Sequence, residues 1–321
     1  MKRVLTAMIV AFSMAAASGC GASNKQAPQP TAAPESKPAQ TLSIGIMPDV
    51  DSIPLVIAKQ QGYFEKEGVT VNLESFKSAM DRDSALQAGK IDGAISDVLA
   101  AAFAKEGGFD VKITSKTDGS YKLLVNKDAK ISSLSDLKGK SIAISKNTLI
   151  EYTTDLMVQE GKIKPEDLNK QIIKDIPARL EMLQQGKIDA ATLPEPLASV
   201  AIKNGAKLLN SSDKLGIRPG ILLFTTKTLQ GKSTEVKAFY KAYNQAVEYL
   251  QKEPVDKYID MLIKDNGFPE AVKGTITVPS YTKAAMIQEK DFDNVIKWLK
   301  EKQLIKNDYK FKDLADEQFI K

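Results

Sequence analysis

Polar side chains follow several short apolar stretches whose pattern predicts strands. In the first half of the chain these residues are Asp49, Ser52, Ser78, Ser96 and Asp97. In sheets flanked by helices, ligands lie outside the carboxyl ends of the parallel strands, where helix N-termini present unpaired N–H groups. We therefore expect these five side chains to line a ligand cleft. Capping of the helix that follows is the alternative role for each of them.

A second polar group precedes a predicted helix in the middle of the chain. It consists of Ser145, Lys146, Asn147 and Thr148, and Glu151 stands three residues after Thr148, the spacing of a capping box. The unpaired N–H groups at this helix start could hold an oxyanion, with Lys146 or Asn147 beside them. A well-capped surface turn is the alternative interpretation.

Two further charged residues are candidates for ligand contact. Glu195 stands 97 residues after Val98, the neighbour of Asp97, in the second copy of an internal repeat. Arg218 stands between two glycines and could bind an anionic ligand through two parallel hydrogen bonds, or could be an exposed loop cation. Candidate acids outnumber candidate cations, which favours a ligand with amine or ring-nitrogen donors over a bare inorganic anion.

The 321-residue chain contains no His and a single Cys, which excludes many catalytic mechanisms. Nucleophile activation by Ser-His-Asp or Cys-His needs an imidazole, and so do most zinc and copper sites. We expect no catalytic residue, no metal site and no cofactor, and we expect the protein not to be an enzyme.

The N-terminus has the pattern of an export signal. Lys2 and Arg3 precede an apolar stretch, and small residues lead to Cys20. This resembles a bacterial lipoprotein signal over residues 1–19, with Cys20 as the lipid-bearing first residue of the mature chain; cleavage by the ordinary signal peptidase is the alternative. Residues 20–41 are rich in Pro, Ala and Ser and predict a flexible tether. The protein would then be lipid-anchored on the extracytoplasmic side of the cell membrane.

The charge balance argues against nucleic acid as a partner. The full chain has 45 Lys and Arg against 40 Asp and Glu, a formal charge of +5. Removal of the signal takes away Lys2 and Arg3, so the mature charge is 43 minus 40, or +3. This weak excess, mostly of dispersed Lys, predicts no nucleic-acid partner.

An internal repeat indicates two lobes of similar topology. The segment Arg82–Ala94 matches Arg179–Ala191 without a gap, sharing Arg, Leu-Gln, Gly-Lys-Ile-Asp and Ala. Each copy reads as a helix ended by Gly and followed by a buried strand starting at Ile91 or Ile188. Alternating strands and helices elsewhere predict an α/β fold with parallel-type sheets.

The repeat copies are expected to lie in lobes that the chain visits alternately. We assign residues 42–120 and 222–321 to one lobe, and residues 121–221, including the hinge crossovers, to the other. Two crossovers make a hinge, and the cleft between the lobes is the natural ligand site.

Several segments together resemble a known family of proteins. They are Ile44–Pro48, Gly62–Phe64, Ala85–Ala94, Leu134–Gly139 and Glu195–Pro196. In order and spacing they resemble the substrate-binding proteins of ABC importers, in the group that serves nitrate, aliphatic sulfonates, taurine and thiamine-pyrimidine precursors. The resemblance implies a two-lobed periplasmic-binding-protein fold of type II, with two sheets joined by two hinge strands and the ligand between the lobes.

The resemblance also implies partners. A monomer that captures a small polar organic solute of sulfonate, taurine or pyrimidine type and delivers it to an ABC permease is the expected function. A solute-sensing receptor that serves no importer is one alternative. A pyrimidine-synthase-like enzyme is another, although the fungal enzymes of this kind use a histidine that this chain lacks.

Overall fold

The computed structural model describes residues 40–321. Residues 1–39 lie outside the described residues, and with them the predicted signal, Cys20 and nearly all of the predicted tether. The described part contains ten strands: β1 (Leu42–Ile46), β2 (Val71–Ser75), β3 (Gly93–Asp97), β4 (Val111–Lys116), β5 (Tyr121–Val125), β6 (Ser141–Ile144), β7 (Asn169–Ile172), β8 (Ala190–Pro194), β9 (Lys207–Ser211) and β10 (Gly220–Thr225).

Helices alternate with the strands and then dominate the C-terminal part. They are α1 (Ile53–Gln60), α2 (Tyr63–Lys66), α3 (Ala79–Gln87), α4 (Val98–Glu106), α5 (Leu149–Gln159), α6 (Ile176–Gln184), α7 (Leu197–Lys203), α8 (Ser212–Leu215), α9 (Thr226–Gly231), α10 (Ser233–Leu250), α11 (Ile259–Asn266), α12 (Glu289–Glu301) and α13 (Phe311–Leu314). None of the helices between residues 40 and 321 is both long and apolar enough to cross a bilayer.

The strands form two five-stranded sheets of the same topology. Their orders are β2-β1-β3-β10-β4 and β7-β6-β8-β5-β9, and we call the sheets with their helices the first and second lobes. β1 runs parallel to β2 and β3, and β6 runs parallel to β7 and β8. β10 and β5 are antiparallel to both of their neighbours. The sheets predicted to be of parallel type are therefore mixed.

The antiparallel strand of each sheet comes from a crossing between lobes. The chain leaves the first lobe through residues 117–120, the first crossover, and enters β5. It returns through residues 212–219, the second crossover, into β10. Each crossing strand arrives from the opposite lobe and therefore runs against the strands beside it. The boundary predicted between residues 221 and 222 falls inside β10.

The repeat motif Gly-Lys-Ile-Asp has the same structural role in both lobes. The Asp92 carboxylate accepts a hydrogen bond from Ser43 N at 2.9 Å, and the Asp189 carboxylate accepts one from Ser141 N at 2.9 Å. Each aspartate thus joins its segment to the first strand of its lobe through its side chain. The strands predicted to start at Ile91 and Ile188 accordingly start two residues later, at Gly93 and Ala190.

Large apolar side chains on the C-terminal helices complete the core of the first lobe. α10 packs on α1 and α2, where the rings of Phe64 and Phe239 stack with centroids 5.6 Å apart. α12 packs on α4 of the first lobe, and its Trp298 lies edge-on against Tyr152 of α5 in the second lobe, with ring centroids 5.6 Å apart. This backing holds the first sheet rigid, so that the ends of β1 and β3 present their loops at a defined place.

Candidate functional site

A cavity lies between the lobes at the carboxyl ends of the parallel strands. It has a volume of about 510 Å³, counting the open space at its mouth. The polar side chains that line it are Asp49, Asp51, Arg82, Ser96, Asp97, Tyr121, Ser145, Thr148, Lys174 and Arg179. Both lobes contribute, so the cavity changes shape whenever the lobes move relative to each other.

Two buried carboxylates on the first-lobe wall both cap a helical turn and face the cavity. Asp49 accepts a hydrogen bond from Ser52 N at 3.2 Å, and Asp97 accepts one from Ala100 N at 2.9 Å. Burial, and then the neighbouring Asp51, raise the pKa of Asp49 well above its ordinary value. Burial raises the pKa of Asp97 to about 6. Asp49 and Asp97 therefore combine helix capping with lining of the cavity, the two roles that the sequence offers as alternatives.

Arg82 lies among these carboxylates and is itself buried. Its Nη2 donates to Ser96 Oγ at 2.9 Å, and its Nε donates to Asp83 Oδ1 at 2.9 Å. Burial opposes the charge on the guanidinium, but Asp83, Asp97 and Asp49 outweigh it, and the pKa of Arg82 is raised. The hydrogen-bond donors of Arg82 therefore have partners within its own lobe.

Asp51 lies deeper, where the cavity meets the crossovers. The Tyr121 hydroxyl donates to Asp51 Oδ2 at 3.1 Å, and the Thr117 hydroxyl and Gly119 N lie beside the same carboxylate. Burial raises the pKa of Asp51 and outweighs the hydroxyls of Thr117 and Tyr121 beside it, which favour the charged form.

The second-lobe wall is built from the start of α5. Thr148 Oγ1 accepts from Ile150 N at 3.2 Å and donates to Ser145 O at 2.9 Å. Glu151 reaches back to accept from Asn147 N at 2.7 Å. Leu149 and Ile150, the first residues of this 11-residue helix, line the cavity. The N-terminal end of the helix dipole therefore favours negative charge in this part of the cavity.

Arg179 completes the second-lobe wall. It is 1% exposed, and its Nη1 donates to Thr192 O at 2.8 Å. Its Nε has no partner, and within residues 40–321 the guanidinium forms no ion pair. Burial lowers the pKa of Arg179 to about 10. A buried cation with an unused donor beside a cavity is suited to an anionic ligand group.

The comparisons with known proteins agree with this architecture. The family model described as "NMT1/THI5 like" matches residues 49–257. The chain belongs to the NMT1/THI5-like family. A "Putative aliphatic sulfonates-binding protein" of Bacillus subtilis (strain 168) is 29% identical over 277 residues, covering 83% of this chain and 79% of that protein. A 4-amino-5-hydroxymethyl-2-methylpyrimidine phosphate synthase of Saccharomyces cerevisiae (THI13) is 25% identical over 243 residues, covering 68% and 70%.

A solved structure shares the fold over most of the chain. The alkanesulfonate-binding protein SsuA from Xanthomonas axonopodis pv. citri, bound to MOPS, matches with a TM-score of 0.77 and 21% identity, covering 88% of this chain and 99% of that one. The two-lobed binding-protein fold predicted from the sequence is thereby confirmed.

Five of the predicted ligand-contact residues line the cavity: Asp49, Ser96, Asp97, Ser145 and Thr148. Two serines of the first lobe lie outside its lining. Ser52 Oγ donates to Asp49 O at 2.8 Å and accepts from Asn266 Nδ2 at 2.9 Å, so its hydroxyl joins the end of α11 to the start of α1. Ser78 caps α3 by accepting from Asp81 N at 3.2 Å.

The remaining four predicted residues also lie outside the lining. Lys146 is exposed, and Asn147 adopts a left-handed backbone with φ of 56°. Glu195 is fully buried, forms an ion pair with Lys122 and accepts from Ser199 N at 3.0 Å. These contacts use the Glu195 carboxylate to hold β5 and the start of α7.

Arg218 binds across the hinge. Its Nη1 lies 3.6 Å from Asp118 Oδ1, and Asp118 also pairs with Lys116 at 2.7 Å. Arg218 thus joins the second crossover to the first. Its charge has a structural role here, whereas the sequence made it a candidate for contact with an anionic ligand.

The cavity contains charged residues that sequence reasoning missed as ligand contacts. Arg82 and Arg179 open the two repeat copies, and this shared position was the available signal. Asp51 belongs to the same loop as Asp49 and was one of the acids counted near the site, whereas Lys174 carried no comparable signal. Lys174 Nζ lies 3.4 Å from Asp81 Oδ1 of the opposite lobe, and Val50 N donates to Glu195 O at 3.3 Å. The lobes are therefore in direct contact around the cavity.

Proposed function

We propose that the protein is an extracytoplasmic solute-binding lipoprotein of an ABC importer. It captures a small polar organic solute of sulfonate, taurine or pyrimidine type between its lobes and delivers it to a membrane permease. The observation that carries this proposal is a buried, charged cavity that both lobes line and two crossovers span. Closure over a solute would add hydrogen bonds between the solute and the polar side chains that line the cavity.

The second-lobe wall supports an anionic group on the solute. Arg179 Nε has no partner among residues 40–321, and the first residues of α5 line the same cavity. A sulfonate has three oxygens that suit such donors. The relative named for aliphatic sulfonates and the SsuA structure support this class of solute.

Binding without catalysis is the part of the proposal that separates it from the yeast relative. That relative is named a synthase and is 25% identical, whereas the Bacillus subtilis relative, at 29%, and the SsuA structure with the matched fold are named binding proteins. The absence of His from this chain removes the residue that the synthase-like alternative would need.

Anchoring and lobe organisation complete the proposal. Cys20 would carry the lipid, residues 20–41 would form the tether, and the protein would act as a monomer on the outer side of the cell membrane. Residues 42–120 with 222–321 would move as one lobe and 121–221 as the other. A Cys20→Ala variant should be released from the membrane fraction, and retention in that fraction would contradict lipid anchoring.

The solute class is tested by mass spectrometry of the molecule that co-purifies with the protein, together with thermal shift against sulfonates, taurine, pyrimidines, nitrate and amino acids. We expect one class to raise the unfolding temperature markedly. The absence of any shift would contradict solute binding. Loss of uptake of that solute on deletion separates an importer component from a sensing receptor.

A further inference from the structure

Away from the cavity, α12 of the first lobe touches α5 of the second lobe. The Trp298 ring lies edge-on against Tyr152, and Trp298 Nε1 donates to Asp155 Oδ2 at 3.2 Å. Lys302, directly after α12, pairs with Asp155 at 2.8 Å and with Glu151 at 3.3 Å. None of these five residues lines the cavity. Their contacts join the lobes through side chains alone, independently of the two crossovers.

Asp155 is the centre of this contact. Its side chain is fully buried, and its partners among residues 40–321 are Lys170 of its own lobe, at 2.7 Å, and Trp298 and Lys302 of the other lobe. Burial opposes the charge on Lys302, but Asp155 and Glu151 outweigh it and raise the pKa of Lys302. A buried carboxylate that loses its partners is destabilising, so separation of α12 from α5 has a free-energy cost at Asp155.

The contact between the two helices is also narrow. An open cavity of about 790 Å³, counting the space at its mouth, lies between α5, α12 and the second crossover, and Leu156, Ile217 and Asn294 are among the residues that line it. The helices therefore meet through a few side chains and not through a continuous packed interface. A contact of this kind can break when two rigid bodies rotate, whereas a close-packed core resists such motion.

This contact exists together with the contacts that close the cavity. Lys174 Nζ lies 3.4 Å from Asp81 Oδ1 of the opposite lobe, and Val50 N donates to Glu195 O at 3.3 Å. The arrangement of the lobes that brings α12 onto α5 is therefore the same arrangement that closes the lobes around the cavity.

α5 also carries the second-lobe wall of the cavity. Leu149 and Ile150 line the cavity, and Glu151 accepts from Asn147 N at 2.7 Å through one oxygen while its other oxygen faces Lys302. Because a short helix moves as a rigid unit, a restraint on α5 at Asp155 also restrains this wall.

We infer that α12 is a latch between the lobes: Trp298 and Lys302 hold Asp155 of α5 and thereby favour the closed arrangement of the empty protein, without contact to the solute. This inference rests on the proposed function, because it assigns the contact to the opening and closing of the lobes. Loss of the latch shifts the equilibrium between the two arrangements toward the open one.

The test measures the distance between the lobes in the absence of solute. Nitroxide labels are attached at Met80→Cys and Ile172→Cys, two exposed positions on α3 and β7 of opposite lobes, in full chains that also carry Cys20→Ser so that only these two sites react. Double electron–electron resonance gives the distribution of distances between the labels. In the labelled parent we expect a single short distance to dominate.

Two variants remove the latch in different ways. In Lys302→Met the ratio of longer to shorter distances should rise about fivefold or more, the effect of one charged contact that exists in a single arrangement. Trp298→Phe keeps an aromatic ring but removes the donor to Asp155, and it should shift the distances in the same direction. Lys302→Arg keeps the charge and should keep the short distance.

Lys300→Met is the matched control, because Lys300 also belongs to α12 but its Nζ donates to Lys306 O within the first lobe. It should keep the distance distribution of the parent, and far-UV circular dichroism shows that each variant is folded. A parent in which the longer distance already dominates, or an unchanged or shorter distance in both Lys302→Met and Trp298→Phe, would overturn the inference. No solute enters this measurement, so these results leave the proposed function to the solute screen.

Discussion

Arg82 and Arg179 occupy the same position in the two copies of the repeat, and the structure buries both beside the same cavity. Their surroundings differ sharply. Arg82 is paired with Asp83 and lies near Asp49 and Asp97, which raise its pKa. Arg179 bonds to the carbonyl of Thr192, and burial lowers its pKa to about 10.

The sequence explains the difference. At the repeat offset, Leu180 and Pro194 stand where the first lobe has Asp83 and Asp97. The second lobe therefore has the arginine without carboxylates at these two positions. Arg82 is paired within its own lobe, whereas Arg179 Nε has no partner among residues 40–321. Two lobes of one topology thereby line one cavity with two arginines that differ in their pairing.

The largest effect is expected from Arg82→Met. It removes the cation closest to the buried Asp49 and Asp97, and we expect the free energy of unfolding to fall by about 3 kcal/mol. Urea unfolding of the empty protein measures this. If the free energy of unfolding falls no further than in Arg179→Met, the two arginines do not differ in their contribution to stability.

Arg179→Met should mainly affect binding. We expect the affinity for ethanesulfonate or 2-aminoethanesulfonate to fall about 100-fold, since a buried charged hydrogen bond is lost from the complex. The stability of the empty protein should change little, because a long apolar side chain replaces a poorly paired buried charge. Calorimetry and urea unfolding together measure the two effects, and unchanged affinity would contradict an anion at Arg179.

Glu195→Ala extends the comparison to the helix starts that follow β3 and β8. Asp97 caps α4 and lines the cavity, whereas Glu195 pairs with Lys122 away from it. We expect Glu195→Ala to lower the free energy of unfolding by about 2 kcal/mol, because Lys122 is left nearly buried without a partner. Solute affinity should change less than about threefold, and a larger change would place Glu195 in the binding site.

The stability of the ligand-free protein should also depend on pH. Burial raises the pKa of Asp97 to about 6, despite the nearby Arg82 and with Asp83 adding to the rise. The folded state therefore binds this proton more tightly than the unfolded state, so the stabilising contribution is present at low pH and is lost as pH rises through 6. Between pH 7 and pH 5 the empty protein should gain about 1 kcal/mol from this residue.

Thermal unfolding at several pH values measures this trend. Asp97→Asn should flatten the stability trend, and an unchanged slope in this variant would assign it to other groups.

The smallest effect is expected from Lys174→Ala. Its ion pair with Asp81 joins the lobes at 3.4 Å, but both side chains are more than half exposed. Such pairs contribute little in water, so solute affinity should fall by less than about threefold. A much larger loss would show that Lys174 binds the solute anion instead.

Local pattern predicted much of the fold because its causes are local. Strands, helix caps and the repeat follow from residue periodicity and from backbone groups a few positions apart, and the caps at Asp49, Asp97 and Thr148 are examples. The antiparallel crossing strands did not follow from local pattern, since their direction depends on the lobe from which each strand arrives.

The roles of the charged residues also divide into those that local sequence predicts and those that depend on the tertiary structure. The sequence by itself determined that the lobes repeat, that an arginine opens each copy, and that acids cluster after β1 and β3. Only the tertiary structure decided which charged residues pair with each other inside the protein. Glu195 finds Lys122 73 residues away, and Arg218 finds Asp118 across the hinge. A charged side chain pairs with an opposite charge that the fold places close to it. The distance between the two partners is set by the packing of the two lobes, which the local sequence does not show.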